Sequence, residues 1–441
     1  MRNKTDLNHS IRRHLLQRVL LVLVLVISVV ALNGNAGIVR ADTPMPSHGL
    51  VCTTDPTSTF TLTTQTGYIN MPDGNVAYMW GFSVGNQPFQ HPSPVLCVNE
   101  GDTVTVVVHN TLPEPISIIF PGQEGVLADG LPSQPEYDDV SGEMVSLTRT
   151  APKDGSVTYS FVASKPGTFL YESGTNPIMQ VNMGLFGALI VRPAMGANYA
   201  YNHAESIFTE GEEFLMLLSE IDPYLHTAVE HGHDFNVNDY QARYWLINGR
   251  GFPDTIAPNG ASWLPNQPFG SLAHIYPKTA GHPDPMLVRY LSVGSENYPF
   301  HPHGNHGRVI ARDGNPLLAA EDISYEKFTV VVSPGQSIDA TFYWENVDGY
   351  DPVTNPIPVT IPQLQNLVYG QFFSGSPYLG NVQDLPVGTQ ALNQCGEYYH
   401  IAHNHALHQI TAWGVVLSGH ITFTRIDPPL VNGVPGSNGC P

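Results

Sequence analysis

A chain of 441 residues with a formal net charge of −20 has room for two or three domains. Such an acidic surface repels nucleic acid and anionic membranes and attracts cations. With 41 Gly, 38 Pro and only 13% charged residues, and with no Gly-rich phosphate loop, nucleophile elbow or basic aromatic stripe, the sequence predicts a loop-rich all-β protein.

The basic residues Arg12, Arg13 and Arg18 precede an apolar run from Val19 to Leu32, and Val39-Arg40-Ala41 follows. This is the pattern of a secretory signal peptide over residues 1–41, with an uncleaved anchor as the alternative, although the run is short for a membrane span. The expected location is therefore secreted, periplasmic or extracellular. Four cysteines follow, Cys52, Cys97, Cys395 and Cys440. An even count in an oxidising compartment favours two disulfides, of which three pairings are open. Cys52–Cys97 and Cys395–Cys440 are favoured because each pair shares a domain; free thiolate ligands are the alternative.

Residues 95–110 read as a strand, a Glu100-Gly101-Asp102 turn and a second strand with alternating β-branched residues. Strands at Val157–Val162, Phe169–Tyr171 and Gly187–Val191 complete a first domain over 42–195. A linker is expected at 196–212. The second domain, 213–441, starts with the apolar run from Glu213 to Glu220 and continues through Trp245–Gly249, Met286–Leu291, Phe328–Gly335 and Ile421–Arg425. Two Pro/Gly/Asn-rich stretches, 251–285 and 346–394, interrupt it, and loops of that length are usually functional covers or ordered decorations.

Two histidine clusters lie about a hundred residues apart. The first is Tyr298-Pro-Phe-His301-Pro-His303-Gly-Asn-His306, and the second is His400-Ile-Ala-His403-Asn404-His405-Ala-Leu-His408. In extended chain, side chains two apart share a face, so His301 pairs with His303 and His403 with His405. Four imidazoles suit copper, with zinc or iron also accepted by such a set. His306 and His400 are candidate outer ligands. His226, His231 and His233, with Glu230, read as a solvated loop able to hold metal only adventitiously. A blue-copper-like loop over Cys395, His400 and His405 is a further alternative.

Asn99-Glu-Gly-Asp-Thr-Val-Thr-Val, Pro166-Gly-Thr-Phe-Leu-Tyr, Gly184-Leu-Phe-Gly-Ala-Leu-Ile-Val, Tyr244-Trp-Leu-Ile-Asn-Gly-Arg, Val309-Ile-Ala-Arg-Asp-Gly, Ser333-Pro-Gly-Gln and both histidine clusters occur in one order over residues 95–425. Together they resemble the multicopper oxidase family in its two-domain, laccase-like form. The resemblance implies two cupredoxin-like Greek-key β-sandwich domains and bound copper. It also implies a type 1 copper held by two His and a Cys, which takes electrons from a reducing substrate, and a trinuclear cluster of eight His that reduces oxygen.

Against that pattern, half of the ligands are gone. The first His-x-His pair becomes Ile119-Phe120-Pro121, and the second becomes Glu172-Ser173-Gly174. The third and fourth keep His301, His303, His403 and His405, but Tyr298 and Asn404 stand where a type 1 His and the Cys belong. His408 falls one residue short of the last type 1 position, where Gln409 stands, and is a candidate replacement. Glu172 is a candidate carboxylate ligand from a neighbouring domain. Without a thiolate the usual electron relay is not supported. Three readings follow: a divergent copper oxidoreductase acting on a small reductant and oxygen, a non-catalytic copper-binding or storage protein, and a structural or interaction module. Family analogy adds a homotrimer, with the site between the first domain of one subunit and the second of its neighbour.

Overall fold

The computed structural model describes residues 45–345 and 398–427, and between them the backbone strands Val359–Gln365, Gly370–Phe372, Gln383–Leu385 and Gln390–Asn393. Residues 1–41, where a signal peptide is expected, and Cys395 and Cys440, expected to pair, lie outside the described residues. The expected all-β architecture is present. One sheet runs in the order Val76–Val84, Thr59–Asn70, Thr103–His109, Ser156–Val162, followed by two short strands. It packs on a second sheet of Gly167–Glu172, Phe186–Arg192 and Leu96–Asn99. Alternation drives the facing: in Thr103–His109, Val104, Val106 and Val108 are buried while the intervening residues are not. They meet Leu62, Phe82, Tyr159 and Phe169 in one core.

A second pair of sheets repeats the pattern. Tyr244–Ile247, Glu213–Ile221, Met286–Ser292, Ser337–Phe342 and Gly307–Arg312 form one layer. Ala273–Ile275, Ile421–Ile426, Tyr398–Asn404, Tyr298–Pro302 and Val330–Val332 form the other. In each half the first long strand runs parallel to a later one, Thr59–Thr63 beside Thr105–His109 and Glu213–Leu218 beside Leu287–Ser292. Cys52 and Cys97 are disulfide-bonded, with Cα atoms 5.5 Å apart, and no free cysteine occurs among the described residues.

The stretches expected to be irregular carry structure of their own. Residues 251–285 contain a 3-10 turn at Asp254–Ile256 and the strand Ala273–Ile275, which runs parallel to Thr424–Ile426. Fully buried Arg250 organises this stretch, donating to the carbonyls of Gln267 (2.8 Å) and Ala257 (2.9 Å). Within 346–394 the four strands pair as two hairpin-like ladders. In the expected linker, Tyr201 is buried and donates its hydroxyl to Asp339 at 2.6 Å.

That hydroxyl belongs to a buried ionic network joining the two halves. Arg289 has no exposed surface and donates to Glu213 (2.6 Å) and to the Thr168 hydroxyl (3.0 Å), and lies 3.3 Å from Asp339. Arg192 reaches the same Glu213 oxygen at 2.6 Å. Thr168 and Arg192 come from the first half, and Glu213, Arg289 and Asp339 from the second. Burial pushes the Glu213 carboxyl up, but the Arg289 and Arg192 guanidiniums outweigh it and hold the group below the usual range.

Removing one partner from such a network strands buried charge. Arg289→Ala is therefore expected to cost about 3–5 kcal/mol in urea unfolding. The sign for pH follows from the depressed Glu213 value. The ion pair's stabilisation is fully present above the unfolded carboxyl pKa of roughly 4.3 and is lost as pH falls through the lower folded value. Acid unfolding midpoints of wild type and Glu213→Gln test this; equal acid sensitivity would refute it.

Candidate metal centre

Two adjacent strands bring the histidines together. Tyr298–Pro302 pairs antiparallel with Tyr398–Asn404, placing His301 opposite His403, Phe300 opposite Asn404 and Pro302 opposite Ala402. His301 and His403 thus sit side by side, while His303 and His405 continue onto the same face just past the paired segment. Ring centroids are 4.7 Å apart for His301–His303, 5.0 Å for His303–His403, 5.2 Å for His301–His405 and 5.5 Å for His403–His405. The four rings form one patch at the end of the second sandwich, with His303 and His405 exposed and the other two half-buried.

Second nitrogens fix two of the rings. His301 Nδ1 lies 2.5 Å from the Phe328 carbonyl, and His403 Nδ1 lies 2.8 Å from the Asn404 carbonyl. A carbonyl only accepts, so each Nδ1 carries the proton and each Nε2 presents a lone pair. This is how ligating imidazoles are held. His303 Nε2 and His403 Nε2 are 3.0 Å apart, close to the spacing of neighbouring nitrogen ligands on one ion with bonds of about 2 Å. Burial lowers the pKa of His303, helped by the charges of His301, His403 and His405, and burial also lowers that of His403. Both effects favour the neutral, ligating form.

Among the described residues no group of three or more His, Cys, Asp or Glu side chains is placed so that it could hold a metal ion. The rings lean on one another, and the His303–His403 pair alone has its nitrogens at chelating distance. The imidazole donors, the tautomers of His301 and His403 and the two-strand mounting suit copper, while the rings as placed hydrogen-bond one another and do not form a ligand set.

The remaining candidates are dispersed. His306 is exposed with its ring 6.0 Å from Phe328, and His400 packs on Trp344 at 4.7 Å, its ring so close against Gly304 that a Cβ there would stand 2.7 Å from it. His408 departs from its expected role. It is exposed on a 3-10 turn, packs against Trp245 at 5.3 Å and points Nε2 toward Glu296 at 3.5 Å. On the helix Pro223–His231, His226 is buried with Nδ1 2.6 Å from the Tyr78 carbonyl, while His231 at the helix end stacks outside on His233 just beyond it.

The place expected for type 1 copper is filled by a hydrogen-bonded cluster that includes a residue sequence reasoning missed, His420. Asn404 Nδ2 donates to His420 Nδ1 at 3.0 Å, and His420 Nε2 faces the carbonyls of Leu246 (2.9 Å) and Ser219 (3.1 Å). Tyr298, fully buried, meets the His420 ring edge-on at 4.8 Å and donates to the Val293 carbonyl. Burial pushes His420 down to about 4, so it stays neutral with both nitrogens committed. Gln409 is also buried and donates to Glu296 at 2.7 Å.

In the first half, Glu172 and Ile119 exchange backbone hydrogen bonds. A Cβ on Gly174 would stand 2.8 Å from the Ile119 side chain and 3.1 Å from the Ser117 hydroxyl. Ser117, Ser146 and Thr175 form a buried hydroxyl triangle behind it. Burial pushes the Glu172 carboxyl up to about 7.

A family model of multicopper oxidases matches residues 64–196. L-ascorbate oxidase of Cucurbita maxima is 28% identical over 304 residues, 63% of this chain and 47% of the relative. Copper resistance protein A of Escherichia coli is 30% identical over 172 residues, 38% of this chain and 25% of the relative. The chain thus spans about half the length, or less, of these relatives. Among solved structures, the multicopper oxidase mgLAC covers 86% of this chain and 88% of its own at 20% identity, TM-score 0.54. The blue copper oxidase of Nitrosomonas europaea covers 84% and 85% at 18% identity, TM-score 0.52. These two likenesses establish the cupredoxin fold.

Removing the Asn404 amide would leave the His420 Nδ1 acceptor buried and unpaired. Asn404→Ala is expected to cost about 1–3 kcal/mol of stability in thermal unfolding while leaving copper uptake unchanged. Lost copper uptake in a folded variant would mean that Asn404 belongs to the metal site.

Proposed function

We propose that this chain is a divergent member of the multicopper oxidase family, an exported copper protein whose metal is held by His301, His303, His403 and His405. The observation that carries this is the pairing of His303 and His403, Nε2 to Nε2, at 3.0 Å across two neighbouring strands. Copper bound there would supply reversible one-electron chemistry to a small reducing substrate and oxygen. This chain's own part is to hold two imidazoles in the ligating tautomer through Phe328 and Asn404 carbonyls. It also leaves the patch open to solvent on one side.

Non-catalytic copper binding or storage is the second reading. The committed His420–Asn404 cluster favours it, since no thiolate or free imidazole stands there to relay electrons. Glu172 and the trimer belong to the proposal as well. Leu131, Tyr137, Val140 and Met144 of the first half and Phe328, Val331 and Leu407 around the histidines are large exposed apolar residues. A neighbouring copy that laid the first surface over the second would bury both and bring a carboxylate to the patch. The division at residues 42–195 and 213–441 is proposed as the domain boundary, and export follows from the signal-like start. Among the described residues no helix is long and apolar enough to cross a membrane.

Copper loading followed by dialysis, metal analysis and EPR tests the assignment. The expected result is retained copper with a colourless, non-blue Cu(II) spectrum, and at least about 100-fold weaker binding in His303→Ala and His403→Ala, because a lost ligand costs no less than a lost supporting partner. Dialysis to a copper-free protein would sink the reading. Turnover of ascorbate or a phenol by the loaded protein separates the oxidoreductase from the storage reading.

A further inference from the structure

Away from the histidine patch, a second buried ion pair stands apart from the network that joins the two halves. His282 Nε2 lies 3.0 Å from Glu212 Oε1, and the two residues are 6% and 4% exposed. Glu212 ends a turn that closes on the Thr209 carbonyl, just before the strand Glu213–Ile221. His282 sits on a strap, residues 276–285, in which Lys278, Ala280 and Gly281 are exposed. Thr279 and His282 exchange backbone hydrogen bonds of 3.1 Å, so the strap doubles back and turns that one imidazole inward.

The strap also grips the chain that leaves the strand Ser337–Phe342. The Lys278 N–H donates to the Trp344 carbonyl at 2.6 Å, and the Lys278 ammonium lies over the Tyr343 ring, 4.4 Å from its centre. Trp344 packs on His400, whose ring meets Gly304 next to His303. A line of contacts thus leads from the strap to the rim of the histidine patch.

We infer that this strap is a pH-sensitive latch, shut by the His282–Glu212 pair and released as the solution becomes alkaline, and that its release frees Trp344 from the Lys278 backbone. Any effect on bound copper rests on the copper reading; the latch itself does not. The Glu212 carboxylate holds His282 above its ordinary value against the opposing effect of burial, and Asp284 adds to this. Burial pushes the Glu212 carboxyl up, with His282 and the Tyr276 N–H opposing. Tyr276 meets His282 edge-on and also faces Asp427 and Arg425, which pair with each other. Because the folded value of His282 is raised, its stabilisation is complete below the unfolded value of about 6.5 and is lost as pH rises through the folded one. The raised Glu212 value acts in the same direction. Once the imidazole is neutral, Glu212 becomes a buried carboxylate without its counter-charge, and opening to water relieves it.

Hydrogen exchange of the full chain, read as protection factors from pH 6 to 9 before and after copper loading, tests the latch. The amides of Lys278, Thr279 and His282 are expected to lose protection by up to about tenfold per pH unit between the two His282 values. The Lys278 amide reports the grip on Trp344 directly, and the neighbouring strand Met286–Ser292 should keep its protection throughout. His282→Gln, which does not titrate, should give a flat profile on the strap. A flat profile in the wild-type protein, or the same slope in His282→Gln, overturns the inference, and the wild-type profile decides alone if the variant does not fold. A pH-dependent strap in a protein that retains no copper would sustain the latch and sink the copper reading. Retained copper with a flat strap would do the reverse.

Discussion

Glu213 accepts from two arginines at once, and the relation between the two sandwiches depends on that one carboxylate. Arg192 arrives from the end of a first-half strand, and Arg289 from the middle of a second-half strand. Each guanidinium would be costly to bury alone, and so would the carboxylate. Together with Asp339, Thr168 and Tyr201 they satisfy most of one another's hydrogen bonds. Apolar packing alone would allow the two halves to slide. A set of charged, directional bonds favours one seating.

The same logic of committed hydrogen bonds runs through the position where the resemblance would place a type 1 copper. Asn404 and His420 occupy each other, and the His420 ring is held from behind by two carbonyls. On the outer face His403 has its Nδ1 on the Asn404 carbonyl, while its Nε2 meets another imidazole, His303, at 3.0 Å. One strand, Tyr398–Asn404, therefore presents both situations, with Asn404 turned into a sealed interior and His403 turned to an open surface.

Much of this was legible in the sequence, for identifiable reasons. Val104, Val106 and Val108 announce a half-buried strand by alternation alone, and the two-residue spacing of the histidines announces a shared face. The strand Thr59–Asn70 went unread because threonines fill the outward and some inward positions, which flattens the contrast between faces, and Val76–Val84 because Met79 to Ser83 are buried without a break and no alternation shows. His420 carries no local signal. It lies sixteen residues beyond Asn404, and only the return of the chain as the Ile421–Ile426 strand brings it back. His408 had the opposite fault: it stood one residue from an expected position, but the 3-10 turn at Leu407–Ile410 directs it outward. The fold-setting Arg289 was equally silent, because a single arginine inside an apolar strand reveals nothing of the partners it will meet.

The cramped position of Gly174 limits what could be built there. With the Ile119 side chain 2.8 Å from the space where a Cβ would begin, an imidazole at 174 needs a smaller residue at 119 first. A cysteine at 404 would likewise meet a histidine already tied to two carbonyls. Grafting a histidine onto 174 or a thiolate onto 404 is therefore a problem of repacking as much as of ligand choice, and single substitutions there would be felt as strain before they were felt as chemistry.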